Sequence, residues 1–209
     1  MKNHLFKENV ENAVKALQHG KGIVIADRID RENEGDLVFA CQNLTQEQVA
    51  QMIRDCSGII CVVISEKKAQ SLNLPFMVSH NKSKNHTNFT VSIEASSNVT
   101  TGVSAQDRLT TIKAISNINA KKGDIVSPGH VFPLIAKNGG VLERDGHTEA
   151  TMDITKLAGL DGGGVLCELT NTDGSMMQGD ELVQYAKKYD MPLLTIDDIK
   201  EYIKFMQKI

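Results

Sequence analysis

The sequence contains no tryptophan, and aromatic residues make up only 4% of its 209 residues. Proteins that bind single-stranded nucleic acid stack bases on aromatic side chains, so this scarcity argues against that class. Basic residues are not in excess either, because 23 Lys and Arg stand against 26 Asp and Glu. With a net charge of −3, the chain cannot neutralise many phosphates, and we expect no nucleic acid partner.

Long apolar runs are also missing. None approaches the ~20 residues that a membrane helix requires, and the first residues lack the apolar core of a signal peptide. We therefore expect no membrane partner and a cytoplasmic location. The cysteines form no CxxC pair and lie mostly in apolar runs, which predicts small buried side chains rather than zinc ligands or disulfides. They are Cys41, Cys56, Cys61 and Cys167.

Helical and strand patterns are mixed along the chain. Apolar residues at helical spacing between residues 7 and 17 predict an opening helix that Gly20 ends. Apolar runs at residues 22–26, 59–64 and 164–170 predict buried strands. Because these elements follow no strict βαβ rhythm, they predict an α+β (mixed α/β) fold, with a mixed sheet packed against helices. No repeat or linker divides the chain, so we expect a single domain over residues 1–209.

An acidic segment follows the first predicted strand. Its carboxylates are those of Asp27, Asp30, Glu32, Glu34 and Asp36. Hard divalent cations such as Mg²⁺ prefer oxygen ligands of this kind. A solvated surface loop is the alternative, since charge clusters are usually exposed.

His130 lies in the segment 127–133, between a predicted Pro-Gly turn and a predicted strand whose Pro133 suggests an edge position. A rigid turn can aim a general base, and imidazole titrates near neutrality. A histidine in a turn is also commonly a surface or structural group. The residues alone leave both interpretations open.

The segment 138–149 contains Arg144, the pair Asp145-Gly146, and His147-Thr148 before a helix predicted from Thr148 to residue 160. Free N–H groups at a helix start favour an anion, and arginine adds a two-pronged phosphate contact. An ordinary helix start capped by Thr148 is the alternative. Neither a P-loop nor a dinucleotide-binding motif is present.

Glu168 interrupts an apolar strand. A buried carboxylate is costly unless it is paired or used. The side chain could face solvent, or it could enter a pocket, where burial would raise its pKa and suit it to proton transfer.

Five segments in order closely resemble 3,4-dihydroxy-2-butanone 4-phosphate synthase of riboflavin biosynthesis, in its stand-alone form. They are residues 30–36 (DRENEGD), 100–108 (TTGVSAQDR), 128–133 (PGHVFP), 139–150 (GGVLERDGHTEA) and 164–170 (GVLCELT). The resemblance runs from about residue 10 to residue 202. It implies a lyase that depends on Mg²⁺ or Mn²⁺ and uses no organic cofactor. The implied reaction converts D-ribulose 5-phosphate, a small sugar phosphate, to L-3,4-dihydroxybutan-2-one 4-phosphate and formate.

The resemblance also assigns roles to residues. It implies that Glu32 and His147 bind the metal and that His130 and Glu168 transfer protons. The substrate-binding positions that it implies are Arg31, Glu32, Asp36, Arg144, Asp145, Gly146, His147, Thr148 and Glu168. It further implies a homodimer with its sites near the subunit boundary.

The acidic loop departs from the family pattern, which has Asp-Asp-Glu-Asp where this chain has Asp27-Arg28-Ile29-Asp30. The loss of two carboxylates could change metal affinity or loop closure. Two other functions therefore stay open. One is a sugar-phosphate isomerase or aldolase that stops at the enediol. The other is a non-catalytic metabolite-binding protein, although binding alone needs neither His130 nor Glu168.

Overall fold

The computed structural model describes residues 5–208, which form seven α-helices and a seven-stranded sheet. The helices are α1 Leu5–Gln18, α2 Gln46–Asp55, α3 Glu66–Ser71, α4 Ala105–Ser116, α5 His147–Leu157, α6 Asp180–Lys188 and α7 Ile196–Met206. The strands are β1 Ile23–Ala26, β2 Gly35–Ala40, β3 Cys61–Ser65, β4 Ile93–Ala95, β5 Ile125–Ala136, β6 Gly164–Glu168 and β7 Leu193–Thr195. Short 3-10 helices span Lys122–Asp124 and Gly140–Leu142.

The strands lie in the order β4-β5-β3-β6-β2-β1-β7. β3 is parallel to β5, and β1 is parallel to β7. β2 pairs antiparallel with both β1 and β6. This combination is the mixed sheet that the sequence predicts, and the α+β fold class is confirmed.

Helices cover both faces of the sheet. Successive side chains of a strand point to opposite faces, so Ile23 and Ile25 join one core cluster and Val24 joins the other. The first cluster includes buried residues of α1, α5 and α7, and the second includes those of α2, α4 and α6. The site described below lies on the face that carries α5.

Local signals in the sequence set several helix ends. Thr45 begins α2 with the predicted capping box, in which its side chain and that of Gln48 bond each other's backbone N–H. The hydroxyl of Ser104 accepts from the N–H of Asp107 at 3.0 Å and begins α4. Gly20, with a φ of 73°, follows α1 as its predicted stop.

The strand that carries the predicted general base differs from its prediction. Residues 128–129 lie within β5 rather than in a turn. β5 also lies between β4 and β3, so Pro133 is not on an edge strand. The backbone N–H of Phe132 donates to the carbonyl of Ile60 at 3.1 Å. Because the N–H groups of successive strand residues point to opposite sides, the nitrogen of Pro133 points away from β3. β4 pairs with β5 only as far as Val131, so no bond between these two strands requires the N–H that Pro133 lacks.

The fold also bears on the predicted state of the cysteines and on the expected lack of a membrane helix. All four cysteines are buried and free, as the apolar runs predict. Within residues 5–208, no helix has the length and apolar character required to cross a membrane.

Candidate active site

A cavity of about 200 Å³ lies where the start of β2, the end of β6 and the start of α5 meet. Its lining residues are Arg31, Glu32, Glu34, Asp36, Cys61, Thr87, Phe89, Leu134, Arg144, His147, Thr148, Leu166 and Glu168. A larger hollow of about 660 Å³ is lined by residues of the segment 76–89. Of these two cavities, only the smaller combines several carboxylates with a histidine and an arginine, so we take it as the candidate active site.

Most of the predicted site residues meet in this cavity, although they come from distant parts of the chain. The predicted residues that line it are Arg31, Glu32, Asp36, Arg144, His147, Thr148 and Glu168. Asp145, Gly146 and His130 do not line it.

The acidic loop is organised by Asp27 at the end of β1. The Asp27 carboxylate accepts from the N–H groups of Glu32 and Glu34 at 3.0 and 2.9 Å, and from Arg31 Nη1 at 2.8 Å. Arg31 also contacts the Glu32 carboxylate closely. Asp27 therefore folds the loop around its own side chain and turns Arg31 and Glu32 toward the cavity.

Glu32, His147 and Asp36 form a line of titratable groups. His147 Nδ1 lies 3.5 Å from Glu32 Oε2, and His147 Nε2 lies 4.0 Å from Asp36 Oδ1. Hydrogen bonding to His147, followed by attraction to Arg31, lowers the pKa of Glu32 to about 2 despite partial burial. Burial alone would lower the pKa of His147, but the carboxylates around it, Asp36 first, raise that pKa to about 9. Burial raises the pKa of Asp36 to about 7.

These residues fit a divalent cation. Asp27, Glu32 and His147 each offer a ligand atom, and these atoms lie within 4.8 Å of one another. Among the described residues, His147 Nε2 and Asp36 Oδ1 are buried without a hydrogen-bond partner, which is costly unless another group satisfies them. Since Glu32 and His147 line the cavity and Asp27 does not, Glu32 and His147 are the better donors. A metal that binds His147 must displace its proton, so binding depends on pH.

The segment before α5 holds Arg144 in place. Arg144 Nη1 donates to Glu149 Oε2 at 2.6 Å, and Nη2 donates to the carbonyl of Asn85 and the hydroxyl of Thr87 at 3.0 and 3.1 Å. A Cβ atom on Gly146 would lie 2.1 Å from Arg144 Nη1. Glycine at this position therefore leaves room for the Arg144 side chain beside the helix start.

The helix start itself differs slightly from its prediction. α5 begins at His147, with Gly146 as its N-cap and without a capping side chain, so Thr148 is not the cap. Thr148 instead lies in the first turn and lines the cavity. The first backbone N–H groups of an α-helix have no partner within the helix. Together with Arg144, this helix start can bind an anionic group such as a phosphate.

Glu168 ends β6, is half-buried and lines the cavity. Ser57 Oγ donates to Glu168 Oε2 at 2.6 Å, and the backbone N–H of Ser57 donates to the carbonyl of Glu168 at 2.8 Å. One carboxylate oxygen is thus fixed by a neighbouring hydroxyl. The geometry suits a group that exchanges a proton with a bound molecule.

His130 lies apart from this cavity, on β5. Its side chain is 44% exposed, and its Nδ1 lies 2.9 Å from Glu94 Oε1. Asp145 also faces elsewhere, because its carboxylate binds Arg28 and Lys200.

Sequence reasoning missed four residues that support the site. Asn85 Nδ2 donates to Glu32 Oε1, and Thr87 and Glu149 bind Arg144. Ser57 binds Glu168. Asn85, Thr87 and Ser57 are more than 50 residues from their partners, so residue spacing could not reveal these contacts. Glu149 lies only five residues from Arg144, inside the segment already singled out.

The chain is similar over most of its length to known proteins of one family. The family model for 3,4-dihydroxy-2-butanone 4-phosphate synthase matches residues 11–202. The synthase of Vibrio cholerae is 55% identical over 201 residues, covering 96% of this chain and 92% of the relative. The synthase of Pectobacterium carotovorum is 56% identical over 195 residues, covering 93% and 90%.

Solved structures give the same result. A crystal structure of a 3,4-dihydroxy-2-butanone 4-phosphate synthase in complex with two magnesium ions aligns with a TM-score of 0.91 at 35% identity, covering 95% of this chain and 97% of the other. The Candida albicans synthase aligns with a TM-score of 0.86 at 40% identity, covering 93% and 96%. The chain belongs to the 3,4-dihydroxy-2-butanone 4-phosphate synthase family.

Proposed function

We propose that this protein converts D-ribulose 5-phosphate to L-3,4-dihydroxybutan-2-one 4-phosphate and formate in riboflavin biosynthesis, as a single synthase domain. The observation that carries this proposal is the meeting of Arg144, Glu32, His147 and Glu168 in one cavity of about 200 Å³. A phosphate anchor, a metal-ligand pair and a proton-transfer group are what this conversion requires. The two products together contain all atoms of the substrate, so the reaction consumes no oxidant or organic cofactor.

Arg144 and the first turn of α5 would bind the substrate phosphate. The arginine is held by Glu149, Asn85 and Thr87, so little side-chain freedom is lost when an anion binds. Thr148 lies in the same turn and adds a hydroxyl. This arrangement would place the sugar carbons between the acidic loop and Glu168.

Glu32 and His147 would bind Mg²⁺ or Mn²⁺, with Asp36 beside them at the start of β2. When bound, the ion supplies Lewis-acid stabilisation of the negative charge that develops on the sugar oxygens. The two-magnesium complex of a relative supports metal binding in this family. Arg31 would place a further positive charge at the rim of the cavity.

Glu168 would move protons during enolisation, loss of a hydroxyl, the 1,2-shift of the carbon skeleton and expulsion of formate. Because Ser57 occupies Oε2, we assign the proton transfer to Oε1. His130, the second proton-transfer position, lies outside its own chain's cavity. We therefore propose a homodimer in which His130 of one subunit completes the cavity of the other.

The assay for formate decides the proposed function. Purified protein is incubated with D-ribulose 5-phosphate and Mg²⁺, and formate and the phosphorylated products are followed by NMR. We expect one formate per four-carbon product and loss of both with EDTA. An isomerised pentose phosphate or a three-carbon product without formate would indicate the isomerase or aldolase instead, and binding without turnover would indicate a metabolite-binding protein.

Subunit complementation tests the shared site. His130→Ala and Glu168→Gln variants, each inactive alone, are mixed under conditions that allow subunits to exchange. If each site combines residues of both subunits, a mixed dimer has one intact site, and an equal mixture regains about a quarter of the wild-type activity. No regain in dimers shown to have exchanged would contradict the shared site.

A further inference from the structure

Arg28 joins the acidic loop to the segment that precedes α5. Arg28 Nη1 lies 3.0 Å from Asp145 Oδ2 and 3.7 Å from Asp197 Oδ1, and its Nε lies 3.1 Å from Asp30 Oδ1. The other oxygen of Asp145 accepts from Lys200 Nζ at 2.6 Å. Asp145 is therefore shared between a cation on the loop and a cation on α7.

The two partners of this ion pair, Arg28 and Asp145, are close in sequence to polar residues that line the cavity, although neither of the two lines it. Arg28 is in the loop that carries Arg31 and Glu32. Asp145 directly follows Arg144 and precedes His147 by two residues. The pair thus connects the two segments that supply the metal ligands and the phosphate anchor.

We propose that Arg28 is a positioning residue whose ion pair with Asp145 holds the acidic loop against the segment 144–148 before substrate binds. The kinetic part of this inference rests on the proposed function, whereas the structural part does not. Without the pair, the loop would sample arrangements in which Glu32 is displaced from His147. Substrate and metal would then have to select the ordered arrangement, which raises the apparent KM and leaves kcat little changed.

The expected effect is small because these groups are partly exposed. The Arg28 side chain is 46% exposed and that of Asp145 is 27% exposed. Single exposed ion pairs contribute little, but networks contribute more. We therefore expect Arg28→Gln to raise KM about three- to fivefold rather than abolish activity, and we expect the difference from wild type to shrink in high salt.

The test compares Arg28→Gln with Lys21→Gln in the full-length protein. Lys21 Nζ makes an exposed ion pair with Asp190 Oδ2 at 2.7 Å, and neither residue lines the cavity. Both variants therefore lose one positive charge and a surface ion pair, and Arg28→Gln also loses the contact with Asp30. Hydrogen exchange is measured first, on the protein alone. We expect faster exchange of the loop amides at residues 27–34 in Arg28→Gln and unchanged exchange there in Lys21→Gln. Equal exchange of this loop in both variants would overturn the inference.

A mutant cycle tests the pairing itself. Asp145→Asn should give the same increase in loop exchange as Arg28→Gln, and the double variant should add little to either. Fully additive effects would overturn the pairing. Arg28→Lys should restore part of the protection, because lysine keeps the charge but contacts fewer acids at once.

Steady-state kinetics of formate release form the final arm. Arg28→Gln should raise KM with kcat within about twofold of wild type, since the loop orders once ligands saturate the site. A fall in kcat with an unchanged KM would overturn the positioning role. If wild type releases no formate, the proposed function fails, and hydrogen exchange alone still decides whether Arg28 holds the loop.

Discussion

Asp36 in β2 lies directly opposite Glu168 in β6 in the antiparallel ladder. Side chains of directly opposed residues stand on the same face of a sheet, so two carboxylates meet at the floor of the cavity. Burial, with a smaller contribution from the charge of Glu168, raises the pKa of Asp36. The sheet register therefore places a carboxylate whose pKa is raised by burial beside the proposed proton-transfer group.

Glu168→Gln should lower turnover by ~10²–10⁴-fold, the usual contribution of a general acid or base. Substrate binding should persist because the phosphate anchor is unchanged, so Kd from calorimetry should remain close to that of wild type. Ser57→Ala provides a graded comparison. It removes the bond to Oε2 and should cause a smaller loss of turnover. Near-normal kcat in Glu168→Gln would remove this residue from the mechanism.

His147→Asn and Glu32→Gln should each weaken Mn²⁺ binding by at least ~100-fold, because loss of groups that merely support a ligand already costs 10–100-fold. Binding is measured by electron paramagnetic resonance on metal-free protein. His19→Asn, which changes an exposed histidine on the surface, serves as control. Wild-type affinity in either site variant would show that the ion binds elsewhere.

Gly146→Ala should raise the KM for the sugar phosphate by about tenfold, the scale of a hydrogen bond to a charged group. The new Cβ would lie 2.1 Å from Arg144 Nη1 and 2.7 Å from Glu149 Oε2, so the arginine must move. The backbone φ of −119° accepts alanine without strain. Gly123→Ala is the matched control, because a Cβ there meets nothing within 4 Å. An equal KM in both variants would show that the arginine position is unimportant for binding.

We expect the carboxylate of Asp107 to stabilise the folded state by an amount that is lost in acid. Bonds from the hydroxyl and N–H of Thr100, aided by the N–H of Gly102, lower the pKa of Asp107 from its ordinary 3.8. A lowered folded pKa means that the carboxylate stabilises the fold above pH 3.8 and that this contribution is lost as pH falls through the folded value.

Urea unfolding at several pH values tests this expectation. Wild type should be more stable than Asp107→Asn at pH 7, and the difference should narrow as pH falls below the ordinary pKa. Asp161→Asn, at an exposed position, serves as the control. A gap between wild type and Asp107→Asn that stays constant with pH would contradict the assignment.

Much of the fold could be predicted from the sequence because its signals are local. The capping box at Thr45, the N-cap at Ser104 and the stop at Gly20 depend on residues within one helical turn. The strand around Pro133 was predicted, but its position inside the sheet was not, because that position depends on where β4 stops pairing. That boundary is set by contacts distant in sequence.

The chemistry of individual site residues could be predicted because it, too, depends on local motifs. The residue types of each motif indicated their chemistry. The hydrogen bonds from Asn85 to Glu32 and from Ser57 to Glu168, however, form only when distant segments meet. Asp145 lies inside a motif whose neighbours line the cavity, yet its side chain turns to Arg28. Side-chain direction after a turn is not encoded in residue spacing.

In the proposed active site, Glu32 and His147 hold a divalent ion that faces a sugar phosphate bound at Arg144. Crystals grown with Mn²⁺ and ribulose 5-phosphate, using the Glu168→Gln variant to slow turnover, test it through anomalous scattering. We expect a manganese peak within about 2.5 Å of one oxygen of Glu32 and one nitrogen of His147, with the phosphate at the start of α5. A fully occupied manganese peak away from both residues, with the sugar phosphate outside the cavity, would contradict the account.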